Sequence, residues 1–485
     1  MGYIAMCALS RAKNELATDD ESSMVVMPMR RALGLMVFVL AVAGCAAQGP
    51  YRRGEQAIEQ FVADPALCQE LKAPSSLRIP VAYIEIDEQG AFQDRSQVER
   101  ALALVGEGRK PKYVVVFVHG WFHNAGADDP TVQRFKCALN NLQSIDDNAG
   151  EEVVGIYVGW RGESWSIPVV RYATFWDRKN TSDEVGRGSL VEFLMRLEGA
   201  VKPTPDTPNK LMVVGHSFGA SVVFNSIGQI LLARFILDAE RLASAKPTPR
   251  HAQSKPGLVS GYGDLVVLVN PAIEATRIVP FFAALNEYTR TRVDLLSPAQ
   301  PPRLVILSSQ GDWATRGTFP VARVFSTLLE SYQDSRMATP YGQDIDIRER
   351  HLDWQTMGNA RALQTHEPLR RTAPAPWDGK CPPARAEWLT QAIDERKAEQ
   401  RRRGETETGA GWSTVFDGTG ITLSHRGVTT PSNPLWILAV DTELIPGHSS
   451  ITNPVLICLF NELLGDPKVI NPEGRKQEER LRRGK

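Results

Sequence analysis

The chain has 485 residues, of which 42% are hydrophobic and 23% are charged, and its formal net charge is −1. This composition is typical of a folded globular protein and excludes a chain dominated by disorder or low-complexity sequence. A near-neutral charge gives no reason to expect nucleic acid as a partner. The length suits one large domain with insertions, or two domains.

The first 44 residues are predicted to be an export signal rather than part of the fold. Arg30 and Arg31 precede a short apolar run that ends in small residues just before Cys45. A basic segment, an apolar run and a small-residue cleavage site are the parts of a signal peptide. The run is also too short to remain in a bilayer as a spanning helix. A plain secretory signal and an uncleaved anchor remain the alternatives.

The end of this signal resembles that of bacterial lipoproteins. The resemblance implies that Cys45 carries lipid, begins the mature protein and attaches it to a membrane. Ala46, rather than an aspartate, follows that cysteine, which by the same resemblance implies sorting to the outer membrane or the periplasm. Residues 1–28 do not resemble a signal, so we expect translation to start at Met27 or Met29. We expect a tether over 45–76 and a charged, solvated tail over 466–485.

Four cysteines remain in the predicted mature domain, and export changes how they are interpreted. In an oxidising compartment they could form two disulfides in any of three pairings. Four buried free thiols are the alternative. No two of them have C-x-x-C spacing, so the sequence does not support a metal site. They are Cys68, Cys137, Cys381 and Cys458.

Apolar segments alternate with segments of helical periodicity along residues 77–465. The predicted strands are 79–86, 113–118, 153–158, 211–214, 265–269, 303–307 and 435–440. The predicted helices are 96–104, one that begins at Asp129-Pro130, 188–197, 220–237 and 281–288. Strands that alternate with helices predict an α/β fold with a mostly parallel central sheet and helices on both faces. Residues 313–434 have little strand character and are predicted to be a long insertion before the last strand.

One stretch carries a strong chemical signal. Four apolar residues end in Gly215-His216-Ser217-Phe218-Gly219, and an apolar helical pattern follows. The G-x-S-x-G pattern between a strand and a helix is the nucleophile elbow, in which a tight turn exposes the serine hydroxyl. The same turn directs the Phe218 N–H toward that hydroxyl. Because ligands of parallel sheets bind at the carboxyl ends of the strands, other reactive groups should collect there.

With these residues, the chain resembles the α/β-hydrolase superfamily over roughly 79–464, and more narrowly bacterial esterase- or lipase-like hydrolases. The resemblance rests on the elbow, on His119-Gly120 after an earlier strand, and on the order serine, acid, histidine. It implies Ser217 as nucleophile, His448 as base and Asp312 as acid. It also implies that the N–H groups of Trp121 and Phe218 form an oxyanion hole.

The base and the acid each have rivals. Eight histidines compete, but His216 adjoins the serine and should point away from it, and His351, His366 and His425 lie in the predicted insertion. His448 follows the last strand, where the superfamily places its base. Glu274 is the main rival to Asp312, and Asp441 is a weaker one.

The predicted reaction is hydrolysis of a carboxylic ester through an acyl-enzyme, without a metal or organic cofactor. Arg161 could pair within the fold or meet an anionic substrate. A non-catalytic lipoprotein that uses the scaffold for binding, and a hydrolase of amide, thioester or peptide bonds, are the alternatives. Loop aromatics could line an acyl pocket or belong to local core: Trp121, Phe122, Trp160, Trp165, Phe175 and Trp176.

Overall fold

The computed structural model describes residues 49–64, 68, 77–145, 148–162, 175–204, 207–244, 258–289, 300–338, 344–371, 413–416, 419, 421–426 and 433–464. Apart from Gly49, all of them belong to one unit of the chain. The predicted signal region 1–44, the lipidation site Cys45 and the charged tail 466–485 lie outside the described residues, as do Trp165 and Cys381.

A sheet of eight strands forms the centre of the described fold, in the order β1-β2-β4-β3-β5-β6-β7-β13. The strands in chain order are β1 (Ile58–Val62), β2 (Arg78–Ile86), β3 (Lys112–Val118), β4 (Glu152–Trp160), β5 (Lys210–His216), β6 (Leu265–Val269), β7 (Leu304–Ser309), β8 (Asp334–Ala338), β9 (Asp344–Arg348), β10 (Arg370–Arg371), β11 (Ser413–Phe416), β12 (Ile421–Ser424) and β13 (Leu435–Val440). In the central sheet β1 is antiparallel to β2, and every other neighbouring pair is parallel.

The central strands are buried on both faces, which explains why they are continuous apolar runs. All seven residues of β3 are buried. Val114 and Val116 face one hydrophobic core, whereas Val115 and Phe117 face the other. β-branched residues favour this pleated, two-sided packing. All seven predicted strands are present within a few residues of their predicted bounds.

Helices cover both faces of the sheet, as predicted. They are α1 (Arg95–Gly106), α2 (Pro130–Gln143), α3 (Phe175–Arg187), α4 (Leu190–Val201), α5 (Phe218–Ser244), α6 (Val279–Thr289), α7 (Phe319–Ser326), α8 (Glu349–Asp353) and α9 (Pro454–Leu463). Helices α1, α3, α4, α5 and α6 pack on one face, and α2 and α9 on the other. The molecule is therefore an α/β protein with a mostly parallel mixed sheet.

A capping interaction explains where α2 begins. The Asp129 carboxylate accepts the Thr131 N–H at 2.7 Å, and Pro130 occupies the first turn of α2, which is the predicted cap.

Within the described residues, Phe218–Asp238 of α5 is long and apolar enough to cross a membrane, and 56% of its most apolar window is buried. Burial of this kind is what a core helix requires, so length and composition alone say little here.

The structure differs from the sequence-based predictions of secondary structure in three places. Part of the predicted tether is β1, an edge strand that pairs with β2. Residues 175–187, for which no helix is predicted, form α3, because tertiary contacts, including the burial of Val185, stabilise a helix that the local pattern does not indicate. Residues 313–434 do contain strands: β8 pairs with β9, and β10, β12 and β11 form a second small sheet. These strands are two to five residues long, too short for alternation to be visible in the sequence.

The described cysteines are disulfide-bonded rather than free. Cys68, which follows β1, is bonded to Cys137 of α2 across 69 residues of sequence, with the two Cα atoms 5.5 Å apart. Cys458 on α9 is also disulfide-bonded. The alternative of four free thiols is therefore wrong. The first bond ties the edge of the sheet to the helix that covers it.

Candidate active site

The fold brings three of the predicted residues into one hydrogen-bonded chain. The His448 Nε2 lies 2.8 Å from the Ser217 Oγ, and its Nδ1 lies 2.8 Å from the Asp312 Oδ2. The three residues come from loops after β5, β7 and β13, at the carboxyl edge of the sheet. They are 95 or more residues apart in sequence, so only the parallel topology brings them together.

Ser217 occupies the sharp turn between β5 and α5 in a left-handed backbone conformation, with φ of 56°. Such a conformation costs a non-glycine residue on the order of 1 kcal/mol and is found where the surrounding structure enforces it. A Cβ at Gly215 would lie 2.6 Å from the Ala220 Cα, and one at Gly219 would overlap the Val118 and His119 carbonyl oxygens. The two glycines of the motif are therefore required sterically.

The loop after β3 lies directly against the serine. A Cβ at Gly120 would lie 2.9 Å from the Ser217 Cβ, so only glycine permits this approach. Two backbone hydrogen bonds fix the loop: the Phe122 N–H donates to the Gly162 carbonyl at 3.0 Å, and the Gly162 N–H donates to the His123 carbonyl at 3.2 Å. The predicted donor residue next to Gly120 is thus held beside the serine.

The second predicted oxyanion donor is at the beginning of α5. This donor is the Phe218 N–H, which has no hydrogen-bond partner among the residues that the structure describes. The first N–H groups of a helix lack intrahelical acceptors and carry the positive end of its dipole. An oxyanion formed beside Ser217 would supply the missing acceptor.

Asp312 is fully buried just after β7. Its Oδ2 accepts the Thr315 hydroxyl at 2.6 Å, and its Oδ1 accepts the Ala314 N–H at 2.8 Å. Burial alone would raise the pKa of this carboxyl, but the hydrogen bonds from His448 and Thr315 lower the pKa below its ordinary value. The carboxylate is therefore ionised at neutral pH and fixes one orientation of the imidazole.

Both rival carboxylates have other roles. Glu274 lies 2.8 Å from the Lys179 Nζ and 3.3 Å from the Arg323 guanidinium, in a buried ion-pair network that holds α3 and α7 together. The Asp441 Oδ1 accepts the Glu443 N–H at 2.9 Å and closes a turn after β13. Neither of them contacts His448.

Two side-chain donors hold the backbone carbonyl of His448 in place. Its carbonyl oxygen accepts hydrogen bonds from the His216 Nε2 at 2.7 Å and from the Asn270 Nδ2 at 2.9 Å. Burial, together with the neighbouring His448 ring, lowers the pKa of His216 to about 3. His216 is therefore neutral, and its bond to a carbonyl requires the proton to be on Nε2. As predicted, its side chain does not approach the serine hydroxyl.

Three residues that position this site were not predicted from the sequence. Asn270, in a left-handed conformation with φ of 47°, also accepts the Ser309 N–H at 2.8 Å and so joins β6, β7 and the His448 loop. The only signal for it was an asparagine before a proline at a strand end. The support given by His216 has no sequence signature, since it depends on a contact across the fold, whereas Thr315 lies only three residues after Asp312.

The loop aromatics divide into two groups. Trp121 packs against Phe175 and Phe218, with ring centroids 5.4 and 5.9 Å apart, beside the serine. Trp160 is core instead, since it is buried and stacks on His119. Arg161 pairs with Glu88 at 3.4 Å, which is the role within the fold.

The described residues include no group of three or more His, Cys, Asp or Glu side chains placed to hold a metal ion. Comparison with protein-family models, curated proteins and solved structures finds no match to this chain. The geometry of the site must therefore carry the functional argument alone.

Proposed function

We propose that this protein is a serine hydrolase of the α/β-hydrolase type that cleaves carboxylic esters through an acyl-enzyme. One observation carries the proposal: a buried carboxylate, an imidazole and a serine hydroxyl form a continuous chain with both contacts at 2.8 Å. This order activates a hydroxyl that is otherwise a weak nucleophile. The sharp turn at Ser217 and the Phe218 N–H at the start of α5 support the same reaction.

The reaction follows from the hydrogen bonds. Ser217 Oγ attacks the ester carbonyl carbon while its proton passes to the His448 Nε2, and Asp312 stabilises the resulting imidazolium. The N–H groups of Phe218 and Trp121 bind the oxyanion. Collapse breaks the carbon–oxygen bond to the alcohol, which leaves with the proton from His448. Water then repeats the sequence at the acyl-enzyme, which releases the carboxylic acid and restores the serine.

We further propose that the ester is presented at a lipid surface. Trp313, the residue after the triad acid, is 78% exposed, and Leu329 beyond α7 is fully exposed. Large exposed apolar side chains are typical of surfaces that meet lipid or another apolar partner. A protein attached to a membrane through Cys45, as the sequence predicts, would hold this surface near lipid.

Hydrolysis of p-nitrophenyl esters tests the central proposal. We expect wild-type protein to release p-nitrophenol and Ser217→Ala to lose that activity almost completely. Ser226→Ala is the matched control, because Ser226 is also buried on α5 but bonds only to the Gly186 and Val222 carbonyl oxygens. Matching anilides and thioesters should react more slowly. A folded wild-type protein without activity on any of these acyl compounds would contradict the proposal.

The lipid-surface proposal has its own test. We expect Trp313→Ser combined with Leu329→Ser to lower activity on a long-chain ester in phospholipid vesicles about tenfold, because two apolar contacts with the lipid are lost. Activity on a dissolved short-chain ester should not change. Leu237→Ser is the control, since Leu237 is 63% exposed at the far part of α5. An equal loss on both substrates would contradict the proposal.

A further inference from the structure

A cavity lies on the opposite face of the sheet from α5. It has a volume of about 80 Å³ and is bounded by β3, β5, α2 and α9. Neither Ser217 nor His448 is among the described residues that line it. The cavity is therefore separate from the space above the nucleophile, although it begins at the same edge of the sheet.

The lining changes from apolar to polar along the strands. Val115 and Met212 lie deep in the cavity, near the middle of β3 and β5, with Leu139 of α2 facing them. The polar residues of the lining belong to strand ends, to loops at the carboxyl edge and to the first turns of α2. They are His123, Thr131, Arg134, His216, Ser449 and Thr452.

Arg134 gives the polar end a positive charge. Its side chain is exposed and makes no ion pair with any residue that the structure describes. Asp129, an acidic side chain at the start of α2, is already engaged, since it accepts the Thr131 N–H and lies 3.2 Å from the His123 Nδ1. Ser449 is also exposed, so the cavity opens at this end. An unpaired guanidinium beside an apolar cavity favours an anionic head with an apolar tail.

We infer that this cavity is a second, non-catalytic binding site for a free carboxylic acid with a short alkyl chain. The alkyl chain lies between the sheet and α2, and the carboxylate lies at the mouth near Arg134 and Ser449. Binding requires no covalent step and does not depend on the proposed hydrolase function. If that function holds, the ligand belongs to the class of acid that the reaction releases.

The cavity also contacts the supports of the catalytic residues. His216 lines it and donates to the His448 carbonyl, and Ser449 follows His448 directly in the chain. An occupant therefore contacts the residues behind the base without occupying the substrate space. We expect a bound acid to change kcat without competing with the ester. The reason is that an occupant of this cavity biases the His448 loop but leaves the substrate space free.

Calorimetry with sodium octanoate tests the site on the folded full-length chain, with Ser217→Ala protein used to separate it from catalysis. We expect octanoate to bind Ser217→Ala and wild type equally. Arg134→Gln should weaken octanoate binding about fivefold, as expected for loss of one partly exposed charge contact. The same change should leave octanol binding unaltered. Arg100→Gln, an exposed arginine on α1, is the matched control and should change neither ligand.

A second variant tests the apolar part. Ala138→Phe places a ring in the cavity, because Ala138 lines it on α2, and should weaken octanoate and octanol about tenfold or more. A thermal unfolding curve with one cooperative transition shows that this variant is folded. Three results would overturn the inference. The first is that octanoate fails to bind at all, and the second is that a covalent inhibitor of Ser217 displaces it from wild type. The third is that Ala138→Phe and Arg134→Gln bind it as tightly as wild type does. Binding to Ser217→Ala protein is measured without catalysis, so failure of the hydrolase proposal would not alter that result.

Discussion

Among the described residues, two pairs of histidine rings have centroids less than 5 Å apart, and the surroundings of the two pairs differ. At the carboxyl edge, the rings of His216 and His448 have centroids 4.9 Å apart. Between the small sheet and β13, those of His366 and His425 are 4.3 Å apart. In the first pair, both nitrogens of His448 and the Nε2 of His216 have partners. In the second, three of the four ring nitrogens have none among the described residues.

Under the proposed function, this difference separates a reactive histidine from a structural one. His366 and His425 pack on each other and on Trp436, and burial lowers the pKa of each, that of His425 to about 3. They behave as apolar core and are costly to protonate. His448 instead has a carboxylate on one nitrogen and a hydroxyl on the other, which is what proton transfer needs. The functional pair is therefore indicated by the hydrogen-bond partners of its ring nitrogens, and by the partial exposure of His448.

The largest expected effect comes from removing the base. His448→Ala should lower kcat/KM for a p-nitrophenyl ester about 10⁵-fold, because nothing else can accept the Ser217 proton. The comparison predicts that His425→Phe leaves kcat/KM within about twofold of wild type, since that ring contacts no reacting group. Steady-state kinetics at neutral pH measures both. A similar loss in both variants would remove the distinction between the pairs.

Removing the charge of the acid should have the next largest effect. Asp312→Asn keeps the shape of the side chain but cannot fix the same imidazole tautomer, so kcat should fall about 10⁴-fold. Glu274→Gln is the control for the rival assignment and should affect stability rather than kcat, because Glu274 belongs to an ion-pair network. Kinetics and urea unfolding of both variants provide the readout. A larger loss of kcat in Glu274→Gln would contradict the assignment.

The second pair should make the protein sensitive to acid. The pKa of His425 is about 3 in the folded protein and about 6.5 when unfolded. Because only the unfolded chain takes up this proton between those values, the free energy of unfolding falls as pH drops from about 6.5 toward 3. At pH 5 this single group costs about 2 kcal/mol.

His425→Phe should abolish that part of the acid sensitivity. Urea unfolding at pH 7 and pH 5 should show a loss between the two conditions that is smaller in the variant by about 2 kcal/mol. Exposed His351→Phe is the control and should unfold like wild type, since its ring is exposed in the folded protein too. Equal losses in wild type and His425→Phe would show that the second pair does not resist protonation.

The smallest effect concerns the two side-chain donors to the His448 carbonyl. Asn270→Gly permits the same left-handed backbone but removes one of the two donors to the His448 carbonyl. We expect kcat to fall about tenfold with little change in KM, as for loss of one hydrogen bond that positions a catalytic group. Asn270→Asp keeps the acceptor of the Ser309 N–H and loses the donor, so it should resemble Asn270→Gly. A change in KM alone would contradict a positioning role.

The sheet and the elbow could be predicted because their determinants are local. The β3 and β5 strands are continuous apolar runs, and the elbow is a five-residue pattern, although Gly219 is required by its contact with the end of β3. α3 could not be predicted, because its polar sequence becomes helical only against α5. β1 was mistaken for tether for the same reason, since it is an edge strand that depends on β2.

Within the site, residues that take part in the proposed reaction could be predicted from motif and order, whereas their supports could not. Thr315, Asn270 and His216 act through hydrogen bonds to Asp312 or to the backbone of His448. Two of these bonds join residues that are 178 and 232 positions apart. Periodicity and spacing carry no information about such contacts.

Covalent labelling with a fluorophosphonate tests the central claim most directly, because the probe reacts with an activated serine and not with an ordinary hydroxyl. We predict that mass spectrometry of the labelled, folded protein finds one adduct on the peptide that contains Ser217. Its rate of formation should fall at least a thousandfold in His448→Ala and remain unchanged in His425→Phe. No adduct on folded wild-type protein, or an adduct that forms equally fast without the His448 ring, would contradict the account.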